Sequence, residues 1–274
     1  MSLAHTLSCR PVRLGALDWI ALQALALWPH GAYLVQRAVD GSDDPLGLLA
    51  LAAVAAWVVW QRHSLRLTPR IGWLFASMAA AIAANGAWWA GVPALLASLL
   101  AASSLACALL AWWPARHPRL ALVGLVVLAL PWIASLQFYL GFPLRVITAQ
   151  LSAWGLQGAG FDAVRSGASM VVNGRLVIVD APCSGVQMAW LAYFTACAVA
   201  AATGLGDSLF VRRAAWVGAI VLLGNVLRNS VLVALEARPG GLSAAWHEAI
   251  GLAVLAAVCA AVLLMVQRRE VARV

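Results

Sequence analysis

Eight apolar runs, most of them separated by short arginine-bearing gaps, constrain this chain more than any other feature of its sequence. Hydrocarbon about 30 Å thick takes about 20 predominantly apolar residues to cross as a helix, at roughly 1.5 Å per residue. The runs fall at 14–35, 46–60, 71–89, 93–113, 120–140, 184–202, 214–235 and 246–266, the second being the shortest. Only 10% of residues are charged against 64% hydrophobic, whereas soluble domains carry roughly 25% charged residues. Lipid must therefore be the solvent for most of the chain. The expectation is an all-α polytopic membrane protein, a single integral membrane domain over residues 1–274 with eight transmembrane helices. The first run contains Asp18 and is followed by no small-residue cleavage site, so it reads as a retained span.

Every one of the 18 basic residues is arginine, and their placement gives an orientation, because cytoplasmic loops are enriched in Arg and Lys. With both termini cytoplasmic, twelve arginines fall on inner segments, five on outer segments, and Arg228 within a span. The basic residues are scattered between apolar runs and form no contiguous basic and aromatic face, so nucleic acid is not an expected partner. An alanine- and arginine-rich chain without lysine suits a GC-rich bacterial genome, hence a bacterial inner (cytoplasmic) membrane. Trp60, Trp88, Trp89, Trp112, Trp113, Trp216 and Trp246 stand at span ends, as an aromatic belt would.

The long gap, 141–183, falls on the outer side. Residues 143–157 mix apolar and polar positions, which predicts an interfacial amphipathic helix. Asn173-Gly174 between β-branched runs predicts a small β-hairpin leading to Cys183. Cys9, Cys107, Cys183, Cys197 and Cys259 show neither CxxC nor Cys/His metal spacing, so no metal, cofactor or disulfide framework is implied.

Three residues stand out for chemistry. In Pro182-Cys183-Ser184-Gly185-Val186-Gln187, Pro182 and the Ser184-x-x-Gln187 spacing predict a helix start with a capping box. The positive end of a helix favours a thiolate at Cys183; read alone, Cys183 is equally a small residue at a helix start. Arg228 lies in the outer half of the seventh span, with Asn225 and Asn229 on or beside its face. An intramembrane arginine is costly and points to function, although snorkelling to headgroups would also place one there. His247 opens the eighth span, one turn before Gly251, and a histidine titrates near neutrality. His30 is a weaker candidate of the same kind, and Glu236 and Glu248 are expected to pair with Arg238 or face water. A thiol, a base and a cation at one membrane surface are what nucleophilic acyl transfer requires. No GxSG serine, HExxH zinc motif or paired intramembrane aspartates compete with that reading.

Pro182-Cys183-Ser184-Gly185, Asn225-x-x-Arg228 and His247 with Gly251 resemble, in order and spacing, the exosortase/archaeosortase family of membrane cysteine transpeptidases. The resemblance runs from about Leu120 to Val266; the first four spans match only in hydropathy. It implies a transpeptidase/protease that cleaves a C-terminal sorting signal on exported, membrane-anchored proteins. That signal is a short motif, often Pro-Glu-Pro-like (the PEP-CTERM type), then one transmembrane helix and a basic tail. Carried over, Cys183 becomes the nucleophile, with Arg228 and His247 dividing the roles of oxyanion stabiliser and general base. Asn225, Asn229, Ser184 and Gly185 would bind substrate or support the site. The product would pass to a lipid or glycan acceptor, or to water in a purely hydrolytic enzyme. The competing reading is a membrane transporter or export/assembly scaffold that uses the buried Arg228 as an anion site.

Overall fold

The computed structural model describes residues 15–114, 117–178, 184–238 and 241–268. These form ten helices and one small sheet: α1 (Ala16–Ala26), α2 (Trp28–Val39), α3 (Leu46–Trp60), α4 (Ile71–Trp89), α5 (Ala94–Trp112), α6 (Leu120–Leu128), α7 (Ile133–Gly158), β1 (Ala163–Ser166), β2 (Ser169–Val172), β3 (Arg175–Ile178), α8 (Val186–Thr203), α9 (Asp207–Glu236) and α10 (Ala244–Gln267).

Among the described residues, five helices (α4, α5, α8, α9 and α10) are long and apolar enough to cross a membrane, or six if α6 and α7 make one broken span. The chain is therefore a multi-pass membrane protein, but not with eight regular spans. Pro29 lies in the first turn of α2, so the first run splits at Leu27 into helices of 11 and 12 residues. The second run forms a helix of only 15 residues. The expected fifth span breaks at Pro131, and α6 and α7 meet there at 92°. Proline lacks the N–H a continuing helix needs and biases the preceding residue away from helical geometry. Asp43 then accepts a hydrogen bond from the Ala134 N–H in the first turn of α7, satisfying one of its orphan donors.

The lipid-facing character is visible in what stays uncovered. In α4, 11% of the most apolar window is buried within the chain, and in α10, 17%. Phe75, Ile82 and Leu264 point outward, an arrangement that only a hydrocarbon solvent tolerates. The core instead joins Trp57, Leu109, Trp113, Leu122, Leu125, Ala196, Val217 and Val262 across α3, α5, α6, α8, α9 and α10. Trp113 belongs to this cluster, meeting Trp57 edge to face, and Trp112 is buried as well, so neither faces the headgroups as a belt residue would. Trp60, Trp89 and Trp246 are exposed near helix ends, and Trp216 is exposed between two and three turns into α9.

The expected interfacial helix is instead the C-terminal half of α7, which runs unbroken through Pro143. Its polarity is inverted relative to expectation. Thr148, Ala149, Ser152 and Ala153 are buried, while Ile147 and Trp154 face outward. Small residues permit close helix approach in a membrane, where apolar residues can face lipid at no cost. Its last turns support an antiparallel sheet of order β1-β2-β3. Asn173 and Gly174 both have positive φ between β2 and β3, as a two-residue primed turn requires. The strand β1 was not expected from the sequence. Met170, Val172 and Val177 of the sheet pack with Ala149, Ala153 and Leu156 of α7 and Val233 of α9.

Segments 61–70, 111–114, 117–120, 205–213 and 266–268 gather at one end of the bundle, rich in arginine. Arg66 and Arg70 donate backbone N–H groups to Trp112 and Ala111, and Asp207 accepts from the N–H groups of Arg119 and Leu120. The sheet, the α2–α3 loop and the starts of α7, α8 and α10 gather at the other end. Here Gly47 allows α3 to approach the α6–α7 break: a Cβ at this position would lie 2.5 Å from the Ala129 carbonyl oxygen. A backbone carbonyl cannot swing aside, so Gly47→Ala is expected to destabilise the protein by about 1–3 kcal/mol. A lower melting midpoint in detergent, read by intrinsic tryptophan fluorescence, checks it.

Candidate functional site

The sheet end contains a cluster of polar side chains held between α7, α8, α9 and α10. Asn225 and Asn229, one turn apart on α9, are 3% and 2% exposed. Asn225 donates to Thr148 Oγ1 at 3.0 Å and Asn229 to Ser152 Oγ at 2.9 Å. Thr148 and Ser152 are also one turn apart, so two matched i, i+4 pairs join α9 to α7. Ser152 donates in turn to the Val226 carbonyl. Both asparagines thus reach α7, and Asn229 also lines a cavity with Arg228. Thr148 and Ser152 were missed in the sequence, although their spacing repeats that of Asn225 and Asn229.

Arg228 turns toward α10. A Cβ on Gly251 would stand 3.1 Å from both Nε and one terminal nitrogen of Arg228, so this glycine makes room for the guanidinium. One turn earlier on α10, His247 lines a cavity of about 780 Å³ together with Arg228, Asn229, Glu236, Glu248 and Val177. On its other side Arg228 borders a second cavity of about 170 Å³ between α8 and α10, walled by Met188, Leu191, Leu252 and Leu255 with Gln187 and Glu248. The guanidinium therefore stands between a larger polar chamber and a smaller, mostly aliphatic slot. Arg228 is half-buried there, and the exposed Glu248 borders both cavities with it.

The start of α8 differs from the expected capping box. Gly185 is the N-cap, in the left-handed region at φ 81°, and a Cβ there would meet the Asn225 amide at 3.0 Å. Ser184, buried, donates from Oγ to Gln137 Oε1 at 2.7 Å, and Gln187 donates to Asp44 at 2.8 Å. Ser184 Oγ also accepts from the Val186 N–H at 3.4 Å, so the serine caps the first turn without Gln187 as its partner. Gln137, Asp43 and Asp44 are further residues the sequence did not single out; they tie α7, α8 and the α2–α3 loop together beside the cavity. Cys183 and Pro182, like the rest of 179–183, lie outside the described residues.

Glu236 and Glu248 are both exposed, the second of the two outcomes expected for them, and Glu236 also accepts from the Leu242 N–H before α10. His30 is buried against Ser98 and Trp88 on α5 and α4, around a separate apolar cavity, which gives it a packing role.

Gly251→Ala offers a test of the Arg228 seat. The added methyl would force the guanidinium aside by a few tenths of an ångström, and misplacement on the ångström scale costs up to about a hundredfold in rate. A loss of about tenfold in activity is expected, with unchanged expression and gel-filtration profile. In an Arg228→Lys background the same substitution should cost nothing further, because the crowded atoms are gone.

Fold and site together define a multi-pass membrane protein whose bundle end holds a guanidinium and an imidazole on one cavity, fed by a small sheet. The transmembrane exosortase family model (Exosortase_EpsH) matches residues 39–265. The chain belongs to that family. No curated protein and no solved structure matches it.

Proposed function

We propose that this chain is a cysteine transpeptidase/protease of the exosortase type, acting on membrane-anchored proteins that end in a short motif, a transmembrane helix and a basic tail. One observation carries the reading: both chain ends that bound 179–183 stand against the helix bearing Arg228. Val177, near the end of β3, lines the cavity with Arg228 and His247, and Gly185 rests on Asn225. Cys183 immediately precedes Ser184 in the sequence, so the thiol belongs to the short segment that joins these two points.

The chemistry follows from the three side chains. His247 takes the Cys183 proton, giving a thiolate and an imidazolium. The thiolate adds to the scissile carbonyl carbon, and the carbonyl electron pair moves onto oxygen. Arg228, which cannot lose its proton and presents a fork of N–H donors, stabilises that oxyanion. As the C=O bond re-forms, the C–N bond breaks and the imidazolium protonates the leaving amine on the helical anchor. The exported portion remains as a thioester on Cys183. A hydroxyl or amine of a lipid or glycan acceptor, or water, then gives its proton to His247 and attacks the thioester, returning the thiolate. The slot between α8 and α10 suits an aliphatic side chain at the start of the substrate's anchor, and the polar chamber suits the motif.

In this reading the arginine-rich end is cytoplasmic, and the sheet end faces the exterior of a bacterial inner membrane. The test is co-expression with a reporter carrying such a C-terminal signal. A shortened reporter is expected, and its mass separates transfer, which adds an acceptor, from hydrolysis, which does not. An uncleaved reporter, across motif variants, would overturn the reading.

A further inference from the structure

The far end of α9 carries a second polar cavity that the proposed chemistry leaves unused. Arg212, Arg213 and Arg268 line it with Trp216, Ile220 and Met265, and it measures about 570 Å³. Arg213 precedes Arg228 by 15 residues on the same helix, a rise of roughly 22 Å, so the two sites are separate.

Arg213 is only 9% exposed, and its terminal nitrogens donate to the carbonyls of Val266 and Arg268 at the end of α10. Helix ends leave such carbonyls unsatisfied and carry partial negative charge. The guanidinium is thus held in one geometry while it joins the two helices. Arg212 and Arg268 are exposed at the cavity rim, and the described lining residues include no carboxylate. Behind the arginines the wall is apolar, and Trp216, 66% exposed, stands where an indole anchors to a headgroup region.

Planar guanidinium forks match phosphate oxygens. An apolar wall adjoining them is wasted on a soluble anion and useful to a lipid. Arginines that only set topology would require neither a cavity nor a buried member. We propose that Arg212, Arg213 and Arg268 bind the phosphate group of an anionic phospholipid, with its acyl chains along Ile220 and Met265 beside Trp216. The inference rests on the membrane fold and is independent of the cysteine chemistry.

Native mass spectrometry of the full chain, released from detergent with phosphatidylglycerol or phosphatidylcholine, tests it. One phosphatidylglycerol is expected to stay bound, phosphatidylcholine to leave, and millimolar inorganic phosphate to displace neither the lipid nor its preference. Each arginine near an anionic lipid contributes a factor of about five, so R212Q/R268Q should weaken retention about 25-fold. Arg213 is left in place because it also secures α10, and circular dichroism would verify the fold of the variant. Equal retention by the variant, or equal retention of phosphatidylcholine, would overturn the site. Release of the lipid by inorganic phosphate would assign the pocket to a soluble anion instead.

Discussion

Cys183→Ala is expected to leave the precursor of a co-expressed reporter at full length, with processing down by at least about a thousandfold, since the covalent route is lost with its nucleophile. Alanine removes one sulfur and adds no bulk, so the bundle and its expression level should be unchanged. Cys183→Ser should be nearly as inactive. A hydroxyl is a far weaker nucleophile than a thiolate at neutral pH, and a histidine that can ionise a thiol takes a hydroxyl proton far less readily. The substitution also separates classes of function. A transporter that used Arg228 as its anion site would be indifferent to Cys183→Ser, whereas a thioester enzyme stops.

Arg228→Lys carries the second large effect, a loss of about 10²–10³ in processing rate. Charge is conserved, but the fork is not. The lysine ammonium is a point charge on a flexible stem, and it would not reproduce the guanidinium face that rests on Gly251. Because Asn225 and Asn229 make the α7 contacts, the α7–α9 joint should survive the change. Activity should therefore fall without a matching fall in melting midpoint. A near-normal rate in Arg228→Lys would mean that net charge alone is used, and a parallel loss of stability would mean that Arg228 is structural.

The membrane class was legible because α4 and α10 are apolar over whole crossings and find too few partners within the chain to be a soluble core. Composition alone carries that information. The number of spans was not legible, since hydropathy averages over a window and cannot see geometry. Pro131 sits inside an apolar run and turns the chain by 92°, while Pro143, read as the start of a separate interfacial helix, is carried within α7. In both cases neighbours decide, as Asp43 does by capping the start of α7. Arg228 and His247 were visible as residue types out of place in an apolar span and at its mouth, and the fold brings both to one cavity. The direction of Asn225 and Asn229 was not visible, because a helix face shared with arginine is wide enough for two neighbouring helices. Thr148 and Ser152 supply what the pattern lacked, a polar pair on α7 at matching spacing.

The central claim is a thioester on Cys183, and the most direct measurement is peptide mass spectrometry of enzyme arrested with its substrate. The Cys183 peptide is expected to carry the C-terminal residue of the exported portion, and neutral hydroxylamine should release it as a hydroxamate. An unmodified Cys183 peptide while shortened product accumulates, or shortened product made by Cys183→Ala, would contradict the account.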